Sequence, residues 1–172
     1  MLIDSIWPLL VDRATHVGTQ SQGIALIEFL DYQCPFCQQQ YTESKRFLAS
    51  NPGRGLGYLH LPSLIHPAAE GAARSAICAE GLGRFSELHK RLFETDQWKS
   101  DTNWVREASA VGGVDTNKFL ACLRSNETTD RIERDCALAQ NLGVSGTPAF
   151  VYRSGVYVGL ASDLVLLILS TY

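Results

Sequence analysis

The chain has no apolar run near the roughly 20 residues that a membrane-spanning helix needs. Its longest, "IALIEFL" and "LVLLIL", are far shorter, so no segment is expected to cross a bilayer. It also has no excess of basic charge. The balance is −3 at pH 7, which lacks the electrostatic footprint that nucleic acid or an anionic membrane surface would require. The opening "MLIDSIWPLLV" has an acid where a positive n-region belongs and no small-residue cleavage site, so it does not read as an intact secretory signal. A signal removed beforehand would leave no mark.

Cysteine is too scarce, at five in 172 residues, for a disulfide-dense scaffold. A second CxxC and an HxxxH are both missing, which leaves a zinc site two ligands short, and no metal is expected. His60, His66 and His89 share no spacing that suggests a metal site or a triad. A Cys–His hydrolase would need the fold to bring one of them beside a cysteine. There is no internal repeat and no low-complexity segment beyond Gln38, Gln39 and Gln40. What remains, at 45% hydrophobic and 19% charged, is a single globular domain with room for an inserted subdomain and a real core.

Residues 24 to 30, "IALIEFL", are apolar on both parities, the pattern of a strand buried on two faces. Pro35 then sits where a first helical residue belongs. Cys37, Tyr41, Ser44 and Leu48 form one stripe before "NPGRG" ends the helix. "GLGYLHL" (55 to 61) alternates and stops at Pro62, completing a parallel βαβ unit. From 64 to 143 only helical periods and breakers are seen. His66-Pro67 opens one helix that Gly81 and Gly83 close, "RFSELHKRLFE" makes the next, and others are predicted near 102–111, 115–124 and 126–142.

Strand signals return at "AFVYR" (149 to 153) and "VYVGL" (156 to 160), read as a hairpin joined by "SG". Ser162 or Asp163 then caps a closing helix through Leu169. That helix is apolar nearly all round. The ordinary expectation is that the sheet and "IWPLLV" cover it, with an exposed contact face as the alternative. The expected class is α/β with three divisions. Residues 1–63 form an N-terminal extension and a first half, 64–143 a helical insertion, and 144–172 a second half.

"EFLDYQCPFCQQQY" (28 to 41) carries the chemistry. A cysteine that caps a helix lies beside free N–H groups and the positive end of the dipole, which favours thiolate and makes Cys34 the expected nucleophile. Cys37, one turn inside, is placed to close a small disulfide ring or to resolve a mixed disulfide. Pro35 stiffens that ring without losing a hydrogen bond. Two structural cysteines without redox chemistry are the alternative. Glu28 sharpens the choice, because a carboxylate in a doubly buried strand costs several kcal/mol unless it is paired, hydrated or protonated. A buried acid of raised pKa could shuttle the proton that Cys37 loses and regains. A side chain that tips out at the strand end would need no such role.

Taken together, "EFLDYQCPFC" and "GVSGTPAF" (143 to 150), separated by a helical block, resemble the DsbA-like branch of the thioredoxin superfamily, thiol:disulfide oxidoreductases of bacterial cell envelopes. The segments "HPAAEGAARSAICAEGLGRFSELHKRLFE" and "FLACL" also look like that branch's helical domain. The resemblance implies a thioredoxin fold, βαβ then ββα, with an all-helical insertion between the halves. It implies that Thr147-Pro148 is the superfamily's cis peptide, packed on the CxxC, with the Thr147 backbone docking substrate beside Pro35 and Phe36. Without it, Pro148 reads as the first residue of an edge strand. The dipeptide is Pro-Phe, whereas Pro-His is typical of strongly oxidising members, so one hydrogen bond or charge near Cys34 is missing.

By the same resemblance Cys78 and Cys122 are candidates for a second, structural disulfide, with two buried free thiols as the alternative. Cys136, on a stripe with Ile132 and Ala139, reads as a core thiol. The implied substrates are reduced or misoxidised proteins, and the implied recycling partner is a quinone-linked membrane protein of the DsbB or VKOR type. No organic cofactor or metal is implied beyond a redox-active Cys34–Cys37 disulfide. Fewer than 25 residues precede the first strand, too few for the dimerisation domain of V-shaped isomerases, so a monomeric oxidase is expected ahead of a reductase or isomerase. The implied compartment is periplasmic or otherwise extracytoplasmic.

Overall fold

A computed structural model describes residues 3–18 and 21–171. Its elements run α1 (Ile3–Arg13), β1 (Thr15–Gly18), β2 (Ile24–Leu30), α2 (Pro35–Ser50) and β3 (Gly55–His60). A helical block follows, made of α3 (Ala69–Gly81), α4 (Phe85–Glu94), α5 (Trp98–Asp101), α6 (Trp104–Ala110), α7 (Thr116–Leu123) and α8 (Asn126–Asn141). The hairpin β4 (Ala149–Tyr152) and β5 (Gly155–Val158) and helix α9 (Asp163–Leu169) complete the chain.

Among the described residues the five strands form one sheet in the order β1-β3-β2-β4-β5. The apolar run on both parities becomes the central strand. β2 lies parallel to β3 on one side and antiparallel to β4 on the other. Ile27 and Phe29 enter the core on one face with Trp7, Leu10 and Leu59. Leu26 and Leu30 enter the opposite core with Phe47, Leu56 and Phe150. Glu28 shares the parity of Leu26 and Leu30, so the alternation of the strand delivers its carboxyl to the α2 side.

This is the thioredoxin fold with a helical insertion that the resemblance implied, and four local features differ from the sequence expectation. Residues 3–13 form a helix despite Pro8, because docking Trp7 and Leu10 against the sheet outweighs the missing hydrogen bond. β1 adds an antiparallel edge to β3, and its four residues are too short to show a period. In the hairpin Tyr152 pairs with Gly155, so the turn is Arg153-Ser154 and not Ser154-Gly155. The closing helix packs on α2 through buried Leu166 and leaves Leu164, Leu167 and Ile168 exposed. Its coverage is therefore partial, and the N-terminal apolar residues serve the other core.

Within the insertion, Cys78 of α3 and Cys122 of α7 are joined by a disulfide, with Cα atoms 5.7 Å apart. Arg74 adds to this tie by donating to the carbonyls of Leu123 and Ser125 at the end of α7. Among the described residues no helix is long and apolar enough to cross a membrane.

Candidate active site

The turn between β2 and α2 sets the geometry. Cys34 takes extended backbone angles (φ −68°, ψ 123°) and caps α2, with Pro35 at the first helical positions, where its missing N–H removes no bond. The Cys34 carbonyl accepts the Gln38 N–H at 3.1 Å, and its sulfur lies 3.5 Å from the Thr147 carbonyl oxygen. Phe36 is 56% exposed, so the ring between the two cysteines faces solvent.

Both Cys34 and Cys37 are free thiols here, in contrasting settings. The Cys34 thiol is pulled down to about 5, first by the Cys37 thiol donating to it and also by the Cys37 and Phe36 N–H groups at the helix start. Cys37 is wholly buried. Burial pushes its thiol far up, helped by the hydrogen bond given to Cys34 and the nearby Glu28 charge, while the Asp31 N–H, 3.5 Å from the sulfur, opposes the rise. Two thiols one helical turn apart are thus separated into a stable thiolate and a reluctant one.

Glu28 is only 2% exposed, so it does not tip out of the strand. Burial raises its carboxyl to about 8, against the pull of the Ser44 hydroxyl, which donates to Oε2 at 3.3 Å. Ser44 is in turn 3.4 Å from the Gln40 amide nitrogen, and Gln40 is pinned to the Ala161 backbone by bonds of 2.9 and 2.8 Å. A buried polar thread therefore runs from the loop before α9 through α2 to the acid behind the cysteines.

The peptide bond Thr147-Pro148 is cis, and it presents the Thr147 carbonyl to Cys34. The structure brings together Glu28, Cys34, Pro35, Phe36, Cys37, Thr147 and Pro148. Cys78 and Cys122 lie apart, in the helical block. Cys136 is half-buried against Ile132, and burial holds its thiol above the ordinary value.

The histidines are placed separately. His89 is buried in an aromatic cluster with Tyr32, Tyr41, Tyr58, Phe85 and Phe93, and burial drives it down to about 3. His60, also driven to about 3 by burial, has no hydrogen-bond partner at either ring nitrogen among the described residues. His66 lies with Nδ1 2.6 Å from Asp31 Oδ2 and precedes α3 by a turn. Asp31 itself was missed by the sequence reading. It is a buried acid three residues before Cys34, and the only available signal was a charge at the end of an apolar strand.

A family model described as Thioredoxin matches residues 12–158. A thioredoxin-like oxidoreductase from Silicibacter pomeroyi DSS-3 is similar over 94% of both chains, with 28% identity and a TM-score of 0.84. The thiol-disulfide exchange protein alpha-DsbA2 from Wolbachia pipientis shares the fold over 98% of this chain and 94% of its own, at 22% identity and a TM-score of 0.81. Among curated sequences, a Na(+)/H(+) antiporter of Salinispora tropica is 29% identical over 150 residues, 87% of this chain. The chain spans only about a quarter of that relative's length, 23%, and the transport named there is said of the antiporter. The Thioredoxin match over most of the chain establishes that this chain belongs to the thioredoxin superfamily, here with a helical block set between the βαβ and ββα halves.

Proposed function

We propose that the chain is a disulfide-forming thiol:disulfide oxidoreductase, exchanging a Cys34–Cys37 disulfide with protein thiols. A substrate thiolate attacks the Cys34 sulfur, the Cys34–Cys37 bond breaks, and Cys37 leaves as a thiolate. Glu28, protonated at neutral pH because its carboxyl sits at about 8, gives that thiolate its proton. A second substrate thiolate then attacks the substrate sulfur of the mixed disulfide, and Cys34 departs as a thiolate. The substrate gains a disulfide and the enzyme holds two electrons as a dithiol.

What supports the direction is the place of Cys34 at the cap of α2, where the Cys37 thiol and then the Cys37 and Phe36 N–H groups pull its thiol down to about 5. At pH 7 a thiol held below ambient pH is ionised in the reduced enzyme, which stabilises the dithiol state and makes the disulfide more oxidising than an unperturbed pair would be. An enzyme whose reduced form is stabilised gives its disulfide away. Exposed Phe36 suits an unfolded-chain substrate, as do exposed Leu64 and Ile65 on the loop that Ser63 and His66 tie to Asp31. The Cys78–Cys122 disulfide favours an oxidising, extracytoplasmic compartment. Recycling falls to a membrane redox protein of the DsbB or VKOR type. The test is oxidation of a reduced, unfolded protein by the oxidised chain. Cys34→Ser should abolish it, and unchanged activity would overturn the proposal.

A further inference from the structure

We propose that Asp31 is a positioning residue for the step of the exchange that breaks or makes the Cys34–Cys37 bond: its carboxylate fixes the backbone N–H that supports the Cys37 thiolate. This deepens the exchange function proposed above and rests on it.

Cys37 is wholly buried, so a thiolate formed there cannot be solvated by bulk water and depends on protein donors. The Asp31 N–H points at its sulfur from 3.5 Å. The same residue's carbonyl accepts the Cys34 N–H at 3.1 Å, so one peptide segment addresses both cysteines. Its side chain is fully buried and gathers three donors. Oδ1 accepts the Gln33 N–H at 2.8 Å, and Oδ2 accepts the Ser63 N–H at 2.9 Å and faces His66 Nδ1 at 2.6 Å. Gln33 extends the suture, its Oε1 accepting the Ala68 N–H at 2.7 Å just before α3. The turn that carries the cysteines is thereby anchored to the β3–α3 loop through one carboxylate.

A carboxylate suits this place because three donors converge on two acceptor oxygens, while an amide has one and a hydroxyl reaches less far. Cys34 depends less on the junction. The Cys37 thiol that donates to it, and the Cys37 and Phe36 N–H groups that also favour its thiolate, belong to the first turn of α2 and are placed by the helix. The charged or titratable groups around the Cys37 sulfur are Glu28 from β2 and Cys34 from the α2 start, with His66 reached through Asp31 from the β3–α3 loop.

The two half-reactions separate in stopped flow with dithiobis(nitrobenzoate) and the reduced enzyme. In the first phase the Cys34 thiolate attacks the reagent, one thionitrobenzoate leaves and a mixed disulfide forms. In the second, the Cys37 thiolate attacks the Cys34 sulfur, the second thionitrobenzoate leaves and the Cys34–Cys37 disulfide closes, the Cys37 proton passing to solvent. Asp31→Ala should slow the second phase about tenfold or more and move its pH midpoint up by about one unit, leaving the first phase as in the wild type. Asp31→Asn should recover part of the rate, since one oxygen still accepts from Gln33.

A second phase at the wild-type rate would overturn the proposal. So would slowing of both phases together, or a slower second phase without the pH displacement, since loosened structure alone gives those outcomes. If Asp31→Ala does not fold, His66→Ala removes one of the three anchors and should give a smaller change of the same sign, and an unchanged second phase there would also overturn it. Cys34→Ser separates the two levels. A fast first phase surviving in that variant defeats the exchange function itself, whatever Asp31 does.

Discussion

Replacing Glu28 by Gln keeps the shape and an acceptor for the Ser44 hydroxyl while removing the ionisable group. In the folded chain burial raises the carboxyl from its ordinary 4.5 to about 8. Between those limits the folded state holds a proton that the unfolded chain has released. The stability linked to that proton is therefore complete below about 4.5 and is lost as pH rises through 8. At about 1.4 kcal/mol per unit, the wild type should lose about 3 kcal/mol relative to Glu28→Gln between pH 4 and 7, and about 5 kcal/mol by pH 9. Urea unfolding of both reduced proteins at those three pH values measures this directly. Glu28→Gln should be nearly equal to wild type in acid and clearly more stable in base. Parallel stability curves would refute the burial-driven shift and with it the claim that Glu28 is protonated at neutral pH.

Cys34 should react with iodoacetamide along a titration curve centred near pH 5, set first by the Cys37 thiol donating to it and then by the N–H groups of the helix start. A midpoint near the free-thiol range would mean that neither the Cys37 thiol nor the helix-start N–H groups stabilise the Cys34 thiolate. In the enzyme assay, Glu28→Gln should also slow turnover by about a hundredfold at pH 7, because proton transfer by a placed acid typically contributes that much, and added small buffers should restore part of the loss. Phe36→His should raise the reduction potential and lower the Cys34 midpoint further by placing a donor beside the sulfur. Cys122→Ser opens a loop spanning 44 positions and should lower urea stability by roughly 4 kcal/mol in the chain-entropy model, leaving the Cys34 titration curve unchanged.

The thioredoxin fold was legible where one segment fixes its own state. "IALIEFL" has the pattern of a doubly buried strand, and Pro35 after Cys34 sits where a helix begins, so strand, turn and α2 were legible from local chemistry. The parity of Glu28 within that strand was enough to raise the question of a buried acid. Its answer needed Ser44 and Gln40, which reach it only after α2 docks on the sheet. Asp31 was opaque for the same reason. Its partners Ser63 and His66 lie more than 30 positions away, and local sequence gives no sign of such a junction. No helix was read at the N-terminus, and α1 forms with Pro8 inside it because Trp7 and Leu10 are buried against the sheet. The closing helix shows the converse. Its apolar composition suggested coverage all round, but α2 offers a face only for Leu166 and its neighbours.

The central claim is that Cys34 and Cys37 form a redox pair whose reduced state is stabilised by the Cys34 thiolate. The most direct test is equilibrium of the purified chain with glutathione at pH 7, with the dithiol fraction read by thiol trapping. A potential well above the about −270 mV of thioredoxin, raised in the oxidising direction by stabilisation of the Cys34 thiolate, is the predicted result. A potential at or below thioredoxin's would contradict the oxidase assignment and make the same site a reductant.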